Sequence, residues 1–271
     1  MSSFREPLSA ESIRAALAHV PFVCAVVYLP SVGSTNDAAR DLGETGAPHA
    51  TLVVADDQTA GRGRLGRSWY MPPLSALAMS LLVRPDLAAS QANRLTMLAG
   101  LAAAEGVEQA TGLMVNLKWP NDIVTLKDER GMMSVRKMGG ILCESALVAD
   151  RVDYAVVGIG LNVNVDFADQ PELADTATSI LLQIGHAVDR LRVLAAVIER
   201  FAARFDGLNS DSLRAAWAQR LVTLGRRVEA RVGDAVWIGL AEAVDDDGAL
   251  LLRTDEGALH RLLAADVTLR M

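Results

Sequence analysis

The segment from residue 157 to residue 165 constrains the fold of this 271-residue chain more than any other, because its residues alternate in character. Apolar side chains occupy every second position, and the positions between them carry two glycines followed by two asparagines. Successive side chains of a strand point to opposite faces of a sheet, so one face is predicted to be core and the other nearly flat. A planar ligand could lie on Gly158 and Gly160 and bond Asn162 and Asn164; a backbone crossing close to the glycines is the alternative.

A glycine- and arginine-rich stretch, GRGRLGRSW, occupies residues 61–69, and no acidic residue occurs between residues 58 and 85. Glycine lets a backbone approach a ligand closely, and arginine is a planar, permanent cation that fits phosphate and carboxylate. The stretch is therefore predicted to be a flexible loop that wraps an anion. It also matches the dinucleotide fingerprint, but the WYMPP sequence that follows disfavours the helix which that motif requires. An Arg–Gly nucleic-acid segment would be longer and lie in a basic context, and a solvated surface loop is the remaining alternative.

The overall composition indicates a well-filled globular core and narrows the classes of function. Hydrophobic residues make up 51% of the chain, and the net charge of −7 argues against nucleic acid or an anionic membrane as the main partner. The two cysteines and four histidines form no metal-spaced group, which favours free thiols in a reducing compartment. The chain lacks the pattern of a signal peptide and any apolar run of the ~20 residues that span a bilayer. A cytoplasmic protein is predicted.

Hydrophobic periodicity predicts strands interleaved with helices. Strands are predicted at residues 22–29, 51–57, 76–83, 137–146 and 154–165, and helices at residues 9–19, 34–42, 90–111, 191–205 and 211–224. From residue 225 onward, five short strand-like runs alternate with Gly and Asp turns, which indicates a compact barrel packed on the main domain. These runs are residues 227–232, 235–243, 249–254, 258–263 and 267–269.

Polar residues interrupt these elements at three places. Ser34 is predicted to cap the helix that follows it, with Asp37 in the capping-box position, which leaves the next two side chains to face a ligand. Pro120 cannot join a sheet ladder, so the polar side chains of KWPND (residues 118–122) are predicted to face a cleft at a strand break. Residues 127–136 are predicted to form a charged loop between two strands.

Several motifs in this order resemble the biotin–protein ligase family: STN (34–36), Gln58, GRGRLGRSW (61–69), KWPND (118–122), KMGGIL (137–142) and GIGLN (158–162). Each motif is weak alone, but the ordered set is highly specific and covers nearly the whole main domain. The resemblance implies an α+β fold in residues 1–224, with a mixed β-sheet flanked by helices as in class II aminoacyl-tRNA synthetases. Residues 225–271 would form a small SH3-like β-barrel. Because only one short helix precedes the catalytic region, a monofunctional ligase without a DNA-binding domain is predicted.

The resemblance implies a two-step reaction with biotin and ATP as substrates and Mg²⁺ on the phosphates. Biotinyl-5′-AMP forms first, and biotin then passes to a lysine of a biotin carboxyl carrier protein, a subunit of acetyl-CoA carboxylase or a related carboxylase. Bringing anions together requires cations, and the labile intermediate requires exclusion of water by loop closure. Neither a nucleic-acid nor a membrane partner is expected, and the chain is predicted to be a monomer or a weak homodimer.

The family's functional positions transfer to this chain residue by residue. The predicted catalytic residues are Lys137, Arg64 and Asp122. The predicted biotin-binding residues are Ser34, Thr35, Asn36, Gln58, Arg62, Gly63, Arg64 and Lys137. The predicted nucleotide-binding residues are Arg64, Arg67, Trp69, Asn121, Gly158, Gly160, Asn162 and Asn164. No metal ligand is assigned. Arg136 is the alternative candidate for the role that the resemblance gives to its neighbour Lys137.

The sequence departs from the family pattern at two places, and two alternative functions are compatible with it. The turn after Trp69 reads MPPLS (71–75) instead of a Ser-Pro-Gly type, and the segment 127–136 is longer than usual. A lipoate–protein ligase shares the fold and the chemistry, although the Arg/Gly loop and KWPND favour biotin. A non-catalytic biotin- or nucleotide-binding sensor is disfavoured because the charged residues of the site are all retained.

Overall fold

A computed structural model describes residues 6–129 and 132–270 of the chain. Seven strands form its larger sheet: β1 (Ala25–Leu29), β2 (Thr51–Ala55), β3 (Leu77–Val83), β4 (Asn116–Lys118), β5 (Asp122–Glu129), β6 (Met132–Val148) and β7 (Arg151–Leu161). They lie in the order β1-β2-β3-β7-β6-β5-β4. Only the β1–β2 pair is parallel among these neighbours, so the sheet is mixed, as predicted.

Helices cover both faces of this sheet. Their bounds are α1 (Ala10–Ala16), α2 (Thr35–Glu44), α3 (Asn93–Thr111), α4 (Pro171–Ala174), α5 (Ile180–Ile184), α6 (Arg190–Phe205) and α7 (Asp211–Arg220). Helix α3 packs with α6 over the face that carries Val157, Ile159 and Leu161, which form one buried core with both helices. Helix α2 packs through Ala39 on the opposite face, beside Val156. The apolar half of the alternating segment is therefore core, as its pattern predicts.

The start of α2 differs from the prediction. Ser34 is its N-cap residue, but the Ser34 side chain makes no capping hydrogen bond, so the predicted capping box with Asp37 is wrong. Asp37 instead binds arginines at the surface. Ser34 itself is buried and lines a cavity described below. The capping box occurs at α1 instead, where Ser9 and Ser12 bond each other's backbone amides.

The predicted loop over residues 127–136 is largely strand. Strands β5 and β6 run as an antiparallel pair out to Glu129 and Met132, and the two residues between them lie outside the described residues. The charges and glycine in this segment suggested a loop, but cross-strand pairing outweighs them. The short helices α4 and α5 were not predicted, because neither is long enough to show a helical period.

A buried ion pair fixes the end of β2, just before the glycine–arginine stretch. Arg190 Nη1 lies 2.7 Å from Asp56 Oδ1, and both side chains are almost fully buried. The second carboxylate oxygen of Asp56 accepts hydrogen bonds from the Tyr28 hydroxyl at 2.6 Å and from the Leu8 amide at 2.9 Å. Burial, reinforced by this carboxylate, raises the pKa of Tyr28 to about 12. Every oxygen of the carboxylate is satisfied, so the chain leaves β2 in a defined direction.

The second sheet is built from the C-terminal residues. Its strands are β8 (Arg227–Val232), β9 (Ala235–Val244), β10 (Leu250–Thr254), β11 (Leu259–Leu262) and β12 (Asp266–Leu269), in the antiparallel order β11-β10-β9-β8-β12. The predicted runs match these strands within two residues. The buried Trp119 indole joins the two sheets, because its Nε1 donates to the Gly248 carbonyl at 2.9 Å. Within the described ranges, no helix combines the length and the apolar character that crossing a bilayer requires.

Candidate active site

Several neighbouring cavities are lined by residues 61–69, which we call the lid, and two of them contain most of the predicted site residues. The first cavity, of about 140 Å³, lies between the lid and the glycine-bearing face of the sheet. The second cavity, of about 970 Å³, lies beside it and reaches the segment 167–177. Fourteen of the sixteen predicted site residues line the first cavity: Ser34, Thr35, Asn36, Gln58, Arg62, Gly63, Arg64, Arg67, Trp69, Asn121, Asp122, Lys137, Gly158 and Gly160.

The lid closes on itself through its own backbone. The Gly63 amide donates to the Arg67 carbonyl at 2.7 Å, and the Trp69 amide donates to the Gly61 carbonyl at 2.9 Å. The element that follows the lid is strand β3 and not a helix. The lid therefore matches the dinucleotide-binding motif in sequence but lacks the helix that this motif requires. Leu65, at the tip, has a positive φ and is 76% exposed. The lid is therefore a narrow hairpin that presents its arginines on both sides.

The three arginines of the lid have different partners. Arg62 Nη2 lies 2.7 Å from Asp37 Oδ1 and 3.2 Å from both oxygens of Glu144. Arg67 forms an ion pair with Asp266 of the C-terminal sheet.

Arg64 differs from the other two arginines, because its Nη1 donates to Asn121 Oδ1 at 3.2 Å. Among the described residues, no carboxylate lies within salt-bridge distance of it. Burial lowers the pKa of Arg64, partly opposed by the nearby charge of Asp122. Its positive charge is thus the least compensated of the three, and an anion in the first cavity would stabilise it.

A polar network forms the floor of the first cavity. The Thr35 amide and hydroxyl both donate to Gln58 Oε1, at 2.8 and 3.1 Å. The buried hydroxyl of Ser80 lies 2.8 Å from Thr35 Oγ1 and 2.7 Å from Asn36 Oδ1. Asn36 Nδ2 donates to Glu144 Oε2 at 2.7 Å. These bonds hold the floor side chains in fixed orientations, as recognition of a polar ligand requires.

The two glycines of β7 make room for side chains that line the first cavity. A Cβ atom at Gly158 would lie 2.0 Å from Asn36 Oδ1, and one at Gly160 would lie 3.0 Å from the Trp69 indole. The flat face is therefore occupied by an amide and an indole, which contradicts the alternative of a crossing backbone. Trp69 Nε1 is buried and has no hydrogen-bond partner. An unsatisfied buried donor at a cavity wall suits a ligand acceptor.

Three charged residues meet where the two cavities join. Lys137 Nζ lies 2.5 Å from Asp122 Oδ1 and 5.7 Å from the centre of the Trp69 ring. Lys118 is the strand partner of Asp122 and lines both cavities. The pKa of Lys118 is lowered, chiefly by burial and further by the cations Lys137 and Arg67, while Asp122 opposes the shift. The junction therefore concentrates positive charge around one carboxylate.

Asn162, Asn164 and Arg136 do not line the first cavity. Asn162 lines only the second cavity, where Nδ2 donates to the Thr178 carbonyl and Oδ1 is buried without a partner. Asn164 lines neither cavity, because its amide exchanges hydrogen bonds with the backbone of Val188 at 2.8 and 2.9 Å. Arg136 donates to the Ala174 carbonyl and also lines neither cavity. The structure thus brings Asn162 to the site and leaves the other two outside it.

Sequence reasoning left several residues of the site unassigned. Ser80 and Glu144 lie in apolar-looking strands, and only the three-dimensional network gives them a role. Lys118 belongs to the KWPND motif, so it could have been predicted as a site residue from the sequence. Asp266 and Val267 line the first cavity from the C-terminal sheet, which no local pattern indicates.

Aromatic and apolar residues wall the second cavity. Trp69, Tyr70 and Phe167 line it, with ring centres of Tyr70 and Phe167 separated by 6.1 Å. The Lys137 amide donates to the Thr176 carbonyl at 2.8 Å, and this bond draws the segment 167–177 alongside β6. A flat apolar wall next to a cationic junction suits a ligand with a planar ring and a charged group.

Fold and site together define a class of protein with a mixed sheet and two adjoining cavities under a cationic lid, beside a lysine–aspartate pair. Comparisons with known proteins give the family. The profile of the "Biotin/lipoate A/B protein ligase family" matches residues 28–162, and that of the "Biotin protein ligase C terminal domain" matches residues 223–270. The chain belongs to the biotin/lipoate A/B protein ligase family.

Individual relatives agree with this assignment. The bifunctional ligase/repressor BirA of Bacillus subtilis is 36% identical over 248 residues, which cover 90% of this chain and 74% of BirA. The biotin--[acetyl-CoA-carboxylase] ligase of Paracoccus denitrificans is 35% identical, with 84% of this chain and 94% of the relative covered. The biotin protein ligase from Aquifex aeolicus in complex with biotin and ATP is 30% identical, covers 91% of this chain and 99% of its own, and superposes with a TM-score of 0.73.

Proposed function

We propose that this chain activates biotin with ATP and transfers it to a lysine of a biotin carboxyl carrier protein. In the first step a carboxylate oxygen of biotin attacks the α-phosphorus of ATP, which gives biotinyl-5′-AMP and releases pyrophosphate. In the second step the lysine amine attacks the biotinyl carbonyl carbon, AMP leaves and the amine loses a proton. The observation that carries the proposal is the Lys137–Asp122 pair at the junction of two cavities beneath a cationic lid.

The first cavity is the proposed site of biotin and the second that of the nucleotide. Four residues that the resemblance assigns to the nucleotide alone line the first of these cavities and not the second: Arg67, Asn121, Gly158 and Gly160. The ureido ring of biotin carries two N–H donors and one carbonyl acceptor, which the amides and hydroxyls of the floor can match. The aromatic wall of the second cavity fits a purine ring, and Asn162 Oδ1 offers a buried acceptor there. Carboxylate and α-phosphate would then meet at the junction, among Lys118, Lys137 and Arg64.

The residues at the junction have separate roles in this proposal. Lys137 and Arg64 stabilise negative charge on the carboxylate and the phosphate as the adenylate forms. Asp122 orients the incoming lysine and accepts its proton in the second step. The lid covers the adenylate and keeps water from the mixed anhydride. Arg62 and Arg67 already face carboxylates, so their role is to hold the lid more than to neutralise phosphate.

Mg²⁺ is expected to arrive with ATP. Among the described residues, no group of three His, Cys, Asp or Glu side chains is placed to hold a metal ion. Magnesium is often bound by only one or two carboxylates together with substrate phosphates, and Asp122 is the carboxylate at the junction. When bound, the ion would supply neutralisation of phosphate charge.

A transfer assay tests the proposed function directly. The chain, ATP, Mg²⁺, biotin and a purified biotin carboxyl carrier domain of acetyl-CoA carboxylase are incubated, and the carrier's intact mass is measured. We expect the mass of one biotinyl group to be added, and no addition when ATP is omitted or when the carrier's target lysine is replaced by arginine. An unmodified carrier, with biotin and ATP both bound by the chain, would instead support a non-catalytic sensor.

The same assay with lipoate separates the two acids that the family name covers. Lipoate has no ureido ring, so it leaves the donors and acceptors of the floor unpaired, which disfavours its binding. Relatives named as biotin ligases, together with the matching C-terminal profile, support biotin as the substrate. Transfer of lipoate at a rate equal to that of biotin would contradict this choice.

Finer features of the sequence-based description remain part of the proposal. We assign residues 1–224 to the catalytic domain and residues 225–271 to an SH3-like barrel, supported by the five antiparallel strands of the second sheet. The cytoplasmic location, supported by two free cysteines, stays a prediction. So does the monomeric or weakly dimeric state.

Replacing Gly158 by alanine is expected to weaken biotin binding by roughly tenfold or more, because Asn36 loses its position and its hydrogen bonds. The added Cβ would overlap Asn36 Oδ1 at 2.0 Å. Calorimetric titration with biotin measures the effect. Gly33→Ala is a matched control, since nothing lies within 4 Å of a Cβ at that position. Equal affinity of both variants would show that the floor does not bind biotin.

A further inference from the structure

A single carboxylate joins the floor of the first cavity to its lid. Glu144 Oε2 accepts from Asn36 Nδ2 at 2.7 Å, and both oxygens of Glu144 lie 3.2 Å from Arg62 Nη2. Asn36 and Arg62 line the first cavity, but Glu144 does not. Its side chain is about one-third exposed, and it lines a neighbouring cavity of about 380 Å³ on the other side of residues 62–66 of the lid. Toward a ligand in the first cavity, Glu144 is therefore placed to act through Asn36 and Arg62.

The bond to Glu144 is the shortest of the bonds from Nδ2 that orient the amide of Asn36. Nδ2 faces two acceptors, Glu144 Oε2 at 2.7 Å and the Leu142 carbonyl at 3.0 Å. Oδ1 must then face the other way, toward the Ser80 hydroxyl and Gly158. A side-chain amide presents an acceptor on one side and donors on the other, so its orientation sets which ligand groups it can match. Without Glu144, the Leu142 carbonyl and the Ser80 hydroxyl would remain to hold that orientation, and the shortest bond of Nδ2 would be lost.

The lid depends on the same carboxylate through charge. Arg62 is the lid residue that reaches α2 and β6, and it is held there by Asp37 and Glu144 together. The Asp37 carboxylate pairs with Arg62 and Arg40, whereas the side-chain amide of its neighbour Asn36 bonds Glu144. The two acids therefore differ in one respect: both anchor the lid, and only Glu144 also anchors the floor.

We infer that Glu144 is a positioning residue that couples the orientation of Asn36 on the floor to closure of the lid by Arg62. The inference rests on the proposed function, since it concerns the biotin site. Ordering the floor and closing the lid then share one interaction, so a ligand that stabilises the oriented Asn36 also favours the closed lid.

Three variants separate the two halves of this coupling. Glu144→Ala removes both contacts. Glu144→Gln keeps an amide oxygen that can accept from Asn36 but removes the charge facing Arg62. Asp37→Ala removes a lid contact alone. Biotin affinity is measured by calorimetry without ATP, and closure of the lid by hydrogen exchange of residues 61–69 with biotin bound.

We expect Glu144→Ala to differ from the other two variants in biotin affinity, and all three variants to differ from the wild type in hydrogen exchange of the lid. Glu144→Ala is expected to bind biotin roughly tenfold to hundredfold more weakly than the wild type, because a charge-assisted hydrogen bond is removed. Glu144→Gln and Asp37→Ala are expected to bind biotin much more tightly than Glu144→Ala. All three variants exchange faster than the wild type in the lid. Equal biotin affinity of the alanine and glutamine variants at position 144 would overturn the link to the floor, and unchanged lid exchange in Glu144→Gln would overturn the link to the lid.

Two further readouts keep these outcomes distinct. Thermal denaturation identifies a variant that fails to fold, and the nearly isosteric Glu144→Gln still tests the lid if the alanine variant unfolds. The wild type serves as the test of the proposed function: if it neither binds biotin nor modifies the carrier, the function fails. A wild type that does both, with variants that match it, removes only the role of Glu144.

Discussion

Lys137→Ala is expected to slow adenylate formation by ~10²-fold or more, as loss of a preorganised charge stabiliser does. Lys137 Nζ stands 2.5 Å from Asp122 at the junction of the two cavities, where the carboxylate of biotin would meet ATP. The charge on the attacking and departing oxygens would then lack its nearest cation. Biotin-dependent exchange of labelled pyrophosphate into ATP measures this step without the carrier.

Arg136→Ala is the matched control for that measurement. The neighbouring cation donates to the Ala174 carbonyl and lines neither cavity, so its loss is expected to leave pyrophosphate exchange near the wild-type rate. The comparison also shows which of the two adjacent basic residues, Arg136 or Lys137, stabilises charge during activation. If Lys137→Ala exchanges pyrophosphate as fast as the wild type, Lys137 has no role in activation.

Arg64→Gly is expected to release biotinyl-5′-AMP roughly tenfold to hundredfold faster, since a charge-assisted hydrogen bond to the ligand is lost. Arg64 is the lid arginine without a carboxylate in salt-bridge distance among the described residues, so its charge is the one available to the adenylate. Release is measured by chasing labelled adenylate with unlabelled biotin. Released adenylate should also modify lysines of an added bystander protein.

Arg64→Ala separates loss of the guanidinium from added freedom of the backbone. Both variants should leak adenylate to a similar extent if the charge holds it. Leakage from the glycine variant alone would assign the effect to flexibility of the lid, and retention by both would remove Arg64 from the adenylate site. Hydrogen exchange of residues 61–69, with and without biotin plus ATP, reports whether the lid becomes ordered when ligands bind.

Most of the fold could be predicted from the sequence, because alternation, helical periodicity and turn residues are local patterns. Alternation in residues 157–165 predicted a strand with a core face, and α3 packs on that face. The five C-terminal strands followed from turn residues between short apolar runs. The strand predicted at residues 137–146 is part of β6, but the extension of β5 and β6 into residues 127–136 was missed, because pairing between the strands outweighs the composition of that segment.

The candidate site was predicted where a motif carries the chemistry and missed where distant strands supply it. Lys137 and Asp122 lie in motifs, and the structure brings them together. Asn164 shares the alternation of its neighbours, yet the strand has ended at Leu161 and its amide binds the backbone at Val188. Glu144 and Ser80 gain their roles only from side chains that approach across the sheet, which spacing along the chain does not encode.

The C-terminal sheet is more than an appendage, because Asp266 holds Arg67 of the lid and Trp119 donates to Gly248. Residues 1–224 prepared without this sheet would lose one wall of the first cavity, because Asp266 and Val267 line it. A chimera that takes the sheet from a homologue would therefore need an acid opposite Arg67 to keep the ion pair with the lid.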